Sequence, residues 1–212
     1  MRLIASLLFA SLIVTLASSH GMSADEKKDE TGFKPLFTAD SFDGWKVMGK
    51  PEGFTITDGV LRSEGAKGGD WIRYETPLDD FALRLEWKIS KEGNSGVFIR
   101  TLEKGNPWET GYEVQLYDAP GREPQYGTGS LYGYFAPKPE PNHDPDVWHE
   151  LEIICKGPQI TVIADGVKVL DVDQMTSEKS KDKPLKGYLG LQDSHSTAGH
   201  SIEYRHVRVK RL

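Results

Sequence analysis

Three side chains near the middle of this sequence combine acid, hydrogen-bonding and cationic chemistry: Glu113, Gln115 and Arg100. Across residues 112–117, Tyr112, Val114 and Leu116 alternate with Glu113, Gln115 and Tyr117. A strand there would set the carboxyl and the carboxamide on one face. Residues 96–101 repeat the pattern, Val97 and Ile99 alternating with Phe98 and Arg100. Same-face neighbours on a strand stand roughly 7 Å apart. A carboxylate, an amide and a guanidinium at such intervals suit a saccharide, which offers many hydroxyls over a similar span. A solvated outer face is the plainer reading of polar alternation. Such faces tend to Lys, Glu and Thr, whereas these runs carry Glu, Gln, Tyr and Arg, with Trp108 in the loop between them.

Strands must position these groups, and the rest of the chain supplies them. Residues 54–57 and 60–62 are joined by Asp58-Gly59, and residues 159–164 and 167–172 by Asp165-Gly166. Both read as tight hairpins. In residues 81–90, Phe81, Leu83, Leu85, Trp87 and Ile89 alternate with Ala82, Arg84, Glu86, Lys88 and Ser90, one face core and the other charged. Further short strands are expected at 71–74, 148–156, 187–193 and 201–212, and a polar loop or single helical turn at 175–183. Residues 121–142 read as a loop, with Tyr126, Tyr132, Tyr134 and Phe135 close together. They are either a wall of a sugar cleft or a packed cover for a sheet edge. No long amphipathic helix is present in the pattern. Many strands linked by Gly, Pro and Asp-Gly turns predict a two-sheet antiparallel sandwich or a barrel, with Val114 and Leu116 inward beside the 81–90 set.

The formal charge of −6 mixes both signs, which argues against a nucleic-acid surface. The lone Cys155 falls in an apolar strand and is expected in the core. Met1-Arg2, an apolar run over residues 3–16 and the small residues Ala17, Ser18 and Ser19 read as a secretory signal segment. The run is short of the roughly 20 apolar residues a spanning helix needs, so no stable membrane insertion is expected after cleavage. The expected division is a signal segment at 1–24, a charged linker at 25–31 and one domain at 32–212, secreted or periplasmic.

Asn94-Ser95-Gly96 leading to Arg100, then Pro107-Trp108-Glu109-Thr110-Gly111, Glu113-Val114-Gln115 and Thr128-Gly129-Ser130-Leu131-Tyr132 occur in an order that resembles the 3-keto-disaccharide hydrolase family. Leu36-Phe37, Gly44-Trp45, Asp58-Gly59-Val60-Leu61, Asp165-Gly166-Val167 and Gly190-Leu191-Gln192 extend the resemblance over nearly all of the chain after about Thr31. The resemblance implies a concanavalin A-like jelly roll and a saccharide substrate carrying a ketone at C3. That ketone acidifies the C2 hydrogen. A base removes it, the C1 oxygen leaves by elimination, and water adds. In this implied site Glu113 or His195 is the base and Arg100 stabilises the enolate. Asn94, Gln115 and Gln192 hold hydroxyls, and Trp108 and Tyr132 stand at the rim. One departure concerns the histidine. The family's late motif has one residue between Gln and His, whereas this chain reads Gln192-Asp193-Ser194-His195, and His200 competes for the role.

Two other functions stay open at this point. One is a non-catalytic sugar-binding module, since the fold hosts many. The other is an ordinary glucanase. Glu113, Gln115 and Asp118 are similar to the carboxylate strand of laminarinase-type enzymes, but the middle acid is an amide and Asp118 reaches the face only through a bulge. No metal or other cofactor is expected. There is no His-x-His, Cys-x-x-Cys or calcium-loop pattern. Asp118, Asp144, Asp146 and Asp193 could offer oxygen ligands to a divalent ion, but loop aspartates are commonly turn formers.

Overall fold

The alternating runs fold as strands, and the Asp-Gly pairs turn them. Asp58 and Gly59 take φ of +51° and +72°, and Asp165 and Gly166 take +45° and +78°. Left-handed backbone at both central residues gives the turn whose twist matches the flanking strands. The computed structural model describes residues 28–37, 40–118, 121–194 and 199–212. The chain divides into one unit ending at Thr31 and another running from Gly32 to Leu212. In the first, the Thr31 N–H donates to Asp29 Oδ1 at 2.9 Å. The expected signal segment lies outside the described residues. Among these residues no helix is long and apolar enough to cross a membrane.

The strands are β1 (Lys34–Pro35), β2 (Trp45–Val47), β3 (Phe54–Thr57), β4 (Val60–Glu64), β5 (Trp71–Tyr74), β6 (Phe81–Ile89) and β7 (Asn94–Thr101). After a single helical turn, α1 (Pro107–Thr110), come β8 (Tyr112–Tyr117), β9 (His149–Lys156), β10 (Gln159–Ala164), β11 (Val167–Asp173), β12 (Tyr188–Gln192) and β13 (Ser201–Arg211). They form two antiparallel sheets. One is eight-stranded, in the order β11-β10-β9-β6-β13-β4-β3 with β1 on β13; the other is five-stranded, in the order β2-β5-β12-β7-β8.

The core lies between them. Phe81, Leu83, Leu85, Trp87 and Ile89 point inward from β6, and Val97, Ile99, Tyr112, Val114, Leu116, Leu189 and Leu191 meet them from the smaller sheet, all buried. Cys155 is buried in the same core. Because strand side chains alternate, filling the core with these residues forces their neighbours on β5, β12, β7 and β8 to the outside of the five-stranded sheet. Those outward positions form the site.

Candidate active site

The register fixes which side chains share the outer face. Phe98 pairs with Glu113, Gly96 with Gln115 and Asn94 with Tyr117 across β7 and β8. Gly190 pairs with Phe98 across β12 and β7, and Gln192 with Trp71 across β12 and β5. Gly96 and Gly190 make room on this face. A Cβ on Gly190 would stand 2.4 Å from the Trp71 ring, and one on Gly96 would stand 2.5 Å from Glu113 Oε1. The indole and the carboxyl therefore lie flat over glycine backbone. Trp71 also meets Phe98 edge to face at 5.5 Å. Together they floor a cavity of about 500 Å³, lined further by Asp70, Asn94, Asn106, Trp108, Gln115, Tyr132, Gln192 and Asp193.

Two loops raise the walls. On one side, α1 carries Trp108, 39% exposed. The Lys183 ammonium braces this turn, donating to the carbonyls of Glu109 at 2.5 Å and of Gly111, with its charge 4.6 Å from the Tyr134 ring centroid. Burial pulls that ammonium down to about 8. On the other side, residues 128–135 run along β8. The Tyr132 N–H donates to Glu113 O at 2.9 Å, and the Arg122 guanidinium lies 3.9 Å from the Tyr117 ring centroid and 5.9 Å from that of Tyr132. Beneath the floor, Ser95 Oγ donates to Gln192 O at 2.9 Å and meets Tyr204 Oη at 2.8 Å, which fixes the backbone of β12 from the core side.

The electrostatics of this cavity are set by its buried carboxyls. Burial pushes the Glu113 carboxyl up to about 8, against the pull of Arg122. Burial also pushes Asp193 up to about 6, while backbone N–H groups of Asp70 and Gly69 pull it down. Asn94 Oδ1, Gln192 Oε1 and Asp193 Oδ1 are buried with no hydrogen-bond partner among the described residues. Buried acceptors of this kind are rare unless a ligand or water satisfies them. Gln115 Oε1 takes the Leu116 N–H at 3.2 Å, leaving its NH2 end as the donor it can offer the cavity. The chemistry on offer is one carboxyl held protonated near neutrality, a second carboxyl, several hydroxyl acceptors and aromatic faces.

Of the residues singled out from the sequence, Asn94, Trp108, Glu113, Gln115, Tyr132 and Gln192 meet at this cavity. Arg100 does not, and its expected role on the enolate is corrected here. Between the pairs Gly190–Phe98 and Tyr188–Thr101, β7 places two residues, Ile99 and Arg100, where β12 places only Leu189. Arg100 sits in that bulge with φ of +57° and is 1% exposed. Its guanidinium donates to Gln174 Oε1 at 2.7 Å and to Gly157 O at 2.5 Å, inside the sandwich. The period-two count is broken by one extra residue, which turns the side chain away. His195 lies outside the described residues. His149, by contrast, is placed and is not at the cavity: its ring joins Asp165 Oδ2 at 2.8 Å and Asp144 O at 2.9 Å.

Sequence reasoning missed Asp70, Trp71, Phe98 and the guanidinium of Arg122, and read Asp193 only as a turn former or an oxygen ligand for a divalent ion. Trp71 and Phe98 are apolar residues on strands, a type that carries no sign of a site by itself. The available signal was that each alternates with a stronger core residue, Ile72 and Val97. Asp193 had a signal too, its place directly after Gln192.

Residues 32–210 match the 3-keto-alpha-glucoside-1,2-lyase-like domain. A 3-keto-disaccharide hydrolase of Bacteroides thetaiotaomicron is 25% identical over 235 aligned positions, spanning 87% of this chain and 80% of that protein. A candidate glycosyl hydrolase of known structure from Parabacteroides distasonis superposes with a TM-score of 0.74 at 25% identity, covering 89% of this chain and 97% of that one. A Bacillus subtilis protein with a galectin-like fold superposes at 0.57 with 15% identity, over 84% of this chain and 94% of that one, in keeping with the concanavalin A-like jelly roll. The match over residues 32–210 takes in both sheets and every described wall of the cavity, so this chain belongs to the 3-keto-alpha-glucoside-1,2-lyase-like family.

Proposed function

We propose that this protein is a carbohydrate-active enzyme that cleaves the glycosidic bond of 3-keto-glycosides, 3-keto-disaccharides included, by C2 proton abstraction, elimination and water addition. The observation that carries the reading is Glu113, a buried carboxyl on a cavity that it shares with a second carboxyl, unpartnered amide oxygens and aromatic rings. The names of the family and of the Bacteroides relative support it. In the first step the C2–H bond breaks and its electron pair passes into the C3 ketone as an enolate. The pair then returns to form the C1–C2 double bond, and the C1–O bond breaks. The departing oxygen takes a proton. Water addition across the double bond restores the 3-keto sugar and resets both proton-transfer groups. Neither step needs a nucleophilic carboxylate.

Glu113 suits the donor in this scheme. Its carboxyl, pushed up to about 8 by burial, is protonated at neutral pH and can release its proton to the leaving oxygen. This turns round the expectation from sequence, in which Glu113 or His195 was the base. Gln115 offers its amide NH2 to the enolate oxygen in place of Arg100. Asn94 and Gln192 accept sugar hydroxyls, and Trp71, Trp108 and Tyr132 offer faces to sugar C–H groups. The laminarinase-like pairing finds no support: Asp118 Oδ2 accepts the Glu92 N–H at 2.9 Å and does not line the cavity. Export belongs to the same reading, carried by the pattern of residues 1–19 alone. Mass spectrometry of the mature protein should find an N-terminus between Ser18 and Asp25, and an intact Met1 would refute it.

The decisive test is incubation with a 3-keto-disaccharide beside its unoxidised parent. Release of 3-keto-glucose from the first alone is expected. Equal cleavage of the parent would make the protein an ordinary glycosidase, and binding of either sugar without turnover would make it a lectin-like module.

A further inference from the structure

We infer that Asp193 is the base that takes the C2 proton, acting with Glu113 as its acid partner in the same cavity. This rests on the elimination reading above, which needs two proton-transfer groups, of which Glu113 supplies one.

The geometry around Asp193 is that of a held carboxylate with one oxygen to spare. It directly follows Gln192, the last residue of β12, and is 3% exposed. Its backbone N–H donates to Asp70 O at 2.9 Å, and its Oδ2 receives the Asp70 N–H at 2.9 Å. This two-way clamp joins the end of β12 to the turn before β5, where Asp70 has φ of +57°. The next residue is tied as well, with Ser194 Oγ accepting the Gly65 N–H at 2.8 Å and donating to His200 O at 2.7 Å. Rotation of the carboxyl is thus stopped by Oδ2. Oδ1 is buried, has no protein partner among the described residues, and belongs to a side chain lining the cavity. A turn-forming aspartate uses its oxygens on backbone; this one uses Oδ2 there and leaves Oδ1 buried without a partner among the described residues.

The surrounding charges divide the labour. Asp70 across the clamp opposes the charge on Asp193, and Tyr204 lies beneath it on β13. Glu113 shares the cavity, with Arg122 acting on it from the far wall. Burial pushes Asp193 up to about 6 and Glu113 to about 8. Between those values the prevailing state has Asp193 ionised and Glu113 protonated, the arrangement the elimination requires. The C2 proton passes to Asp193 Oδ1, and the Glu113 proton passes to the leaving oxygen. In the hydration half, water gives its proton to Glu113 and its hydroxyl to C1, and Asp193 returns its proton to C2.

Exchange at C2 needs only the base, whereas cleavage needs base and acid, so the two can be read separately. The full chain is incubated with methyl 3-keto-α-glucoside in D2O. Loss of the C2–H signal and release of methanol are both followed by NMR, above the enzyme-free rates. Asp193→Asn is expected to lose both, each by about 10²–10⁴-fold. Glu113→Gln is expected to lose cleavage by a similar factor while keeping the larger part of its exchange. Exchange by Asp193→Asn at the wild-type rate would overturn the inference and leave the elimination reading standing. A wild-type protein that neither exchanges nor cleaves would remove both. If Asp193→Asn does not fold, the wild-type pH profile decides: exchange should rise through about 6, and a flat profile from pH 5 to 7 would overturn the inference.

Discussion

The two sheets of this sandwich present outer faces built by the same alternation, yet their charges are treated in opposite ways. On the eight-stranded sheet, Arg84 joins Glu152 at 2.9 Å, Lys88 joins Glu203 at 2.6 Å, and Arg205 joins Glu86 at 2.6 Å. Burial alone would raise the Glu86 carboxyl, but the contacts from His206 and Arg205 outweigh it and hold the group below its ordinary range. Glu203 is held low in the same way by Lys88 and Arg62. On the five-stranded sheet, Glu113 and Asp193 are more deeply buried, have no ion-pair partner among those described, and are raised. A polar strand face is therefore told apart by the partners its charges find. Carboxylates that find cations on neighbouring strands are already satisfied and serve solubility and register. Carboxylates buried beside unpartnered amides retain the capacity to bind and to move protons.

The greatest loss should follow removal of the titratable carboxyl of Glu113 from the second face. Glu113→Gln should lower turnover of a 3-keto substrate by about 10²–10⁴-fold in steady-state assays. It should also stabilise the fold in alkaline solution. The native carboxyl retains its proton up to about 8, whereas the unfolded one loses it near the ordinary 4.5, so native stability falls as pH rises through that window. Melting curves of Glu113→Gln should match wild type near pH 4 and exceed it at pH 8; a lower melting point at pH 8 would contradict the burial argument.

Next comes Gly96→Ala. The new methyl would stand 2.5 Å from Glu113 Oε1 and 2.7 Å from its Cγ, so the carboxyl must move. A shift of about 1 Å in a catalytic group can cost on the order of 10²-fold. Activity should fall by about that factor while far-UV circular dichroism stays unchanged, and full activity would show that the position of Glu113 is not critical. Lys183→Met is a smaller test of the Trp108 wall. Loss of the brace on Glu109 O and Gly111 O should raise KM by about tenfold, worth about 1.4 kcal/mol, with a lesser effect on kcat. An unchanged KM would separate Lys183 from the site. The smallest effect belongs to the first face. Glu86→Gln should cost about 0.2–1 kcal/mol at neutral pH and leave turnover unchanged. Its folded carboxyl is held low, so that contribution is present above the ordinary 4.5 and fades as acid protonates it. A loss of activity in Glu86→Gln would collapse the contrast between the faces.

Much of this was legible before any coordinates. Strict alternation over Phe81, Leu83, Leu85, Trp87 and Ile89 located the core, and the Asp-Gly pairs located two hairpins. Glu113 and Gln115 were placed on one face by period alone. Arg100 was not, because a single bulged residue reverses the parity of everything beside it, and nothing in its own type marks the bulge. The orientation of Asp193 was hidden for a different reason. It stands just past the end of a strand, where its direction depends on the clamp with Asp70, a residue 123 positions earlier. Trp71 and Phe98 look like core in any hydropathy pattern. Only the pairing of strands shows that Gly190 has opened the outer face for Trp71, with Phe98 paired beside it.

The segment that carries Tyr132 has a second consequence. β8 is the last strand of its sheet, and its outer edge would otherwise offer a row of free backbone groups to any passing strand. Gln115 N donates to Ser130 O, Gly129 N to Gln115 O, Tyr132 N to Glu113 O, and Tyr117 N to Thr128 Oγ1, so that row is occupied. The wall of the cavity is therefore also the protein's guard against edge-to-edge aggregation. Shortening it to admit a bulkier substrate would bare the strand that holds Glu113, and a gain in scope would arrive together with a loss of solubility.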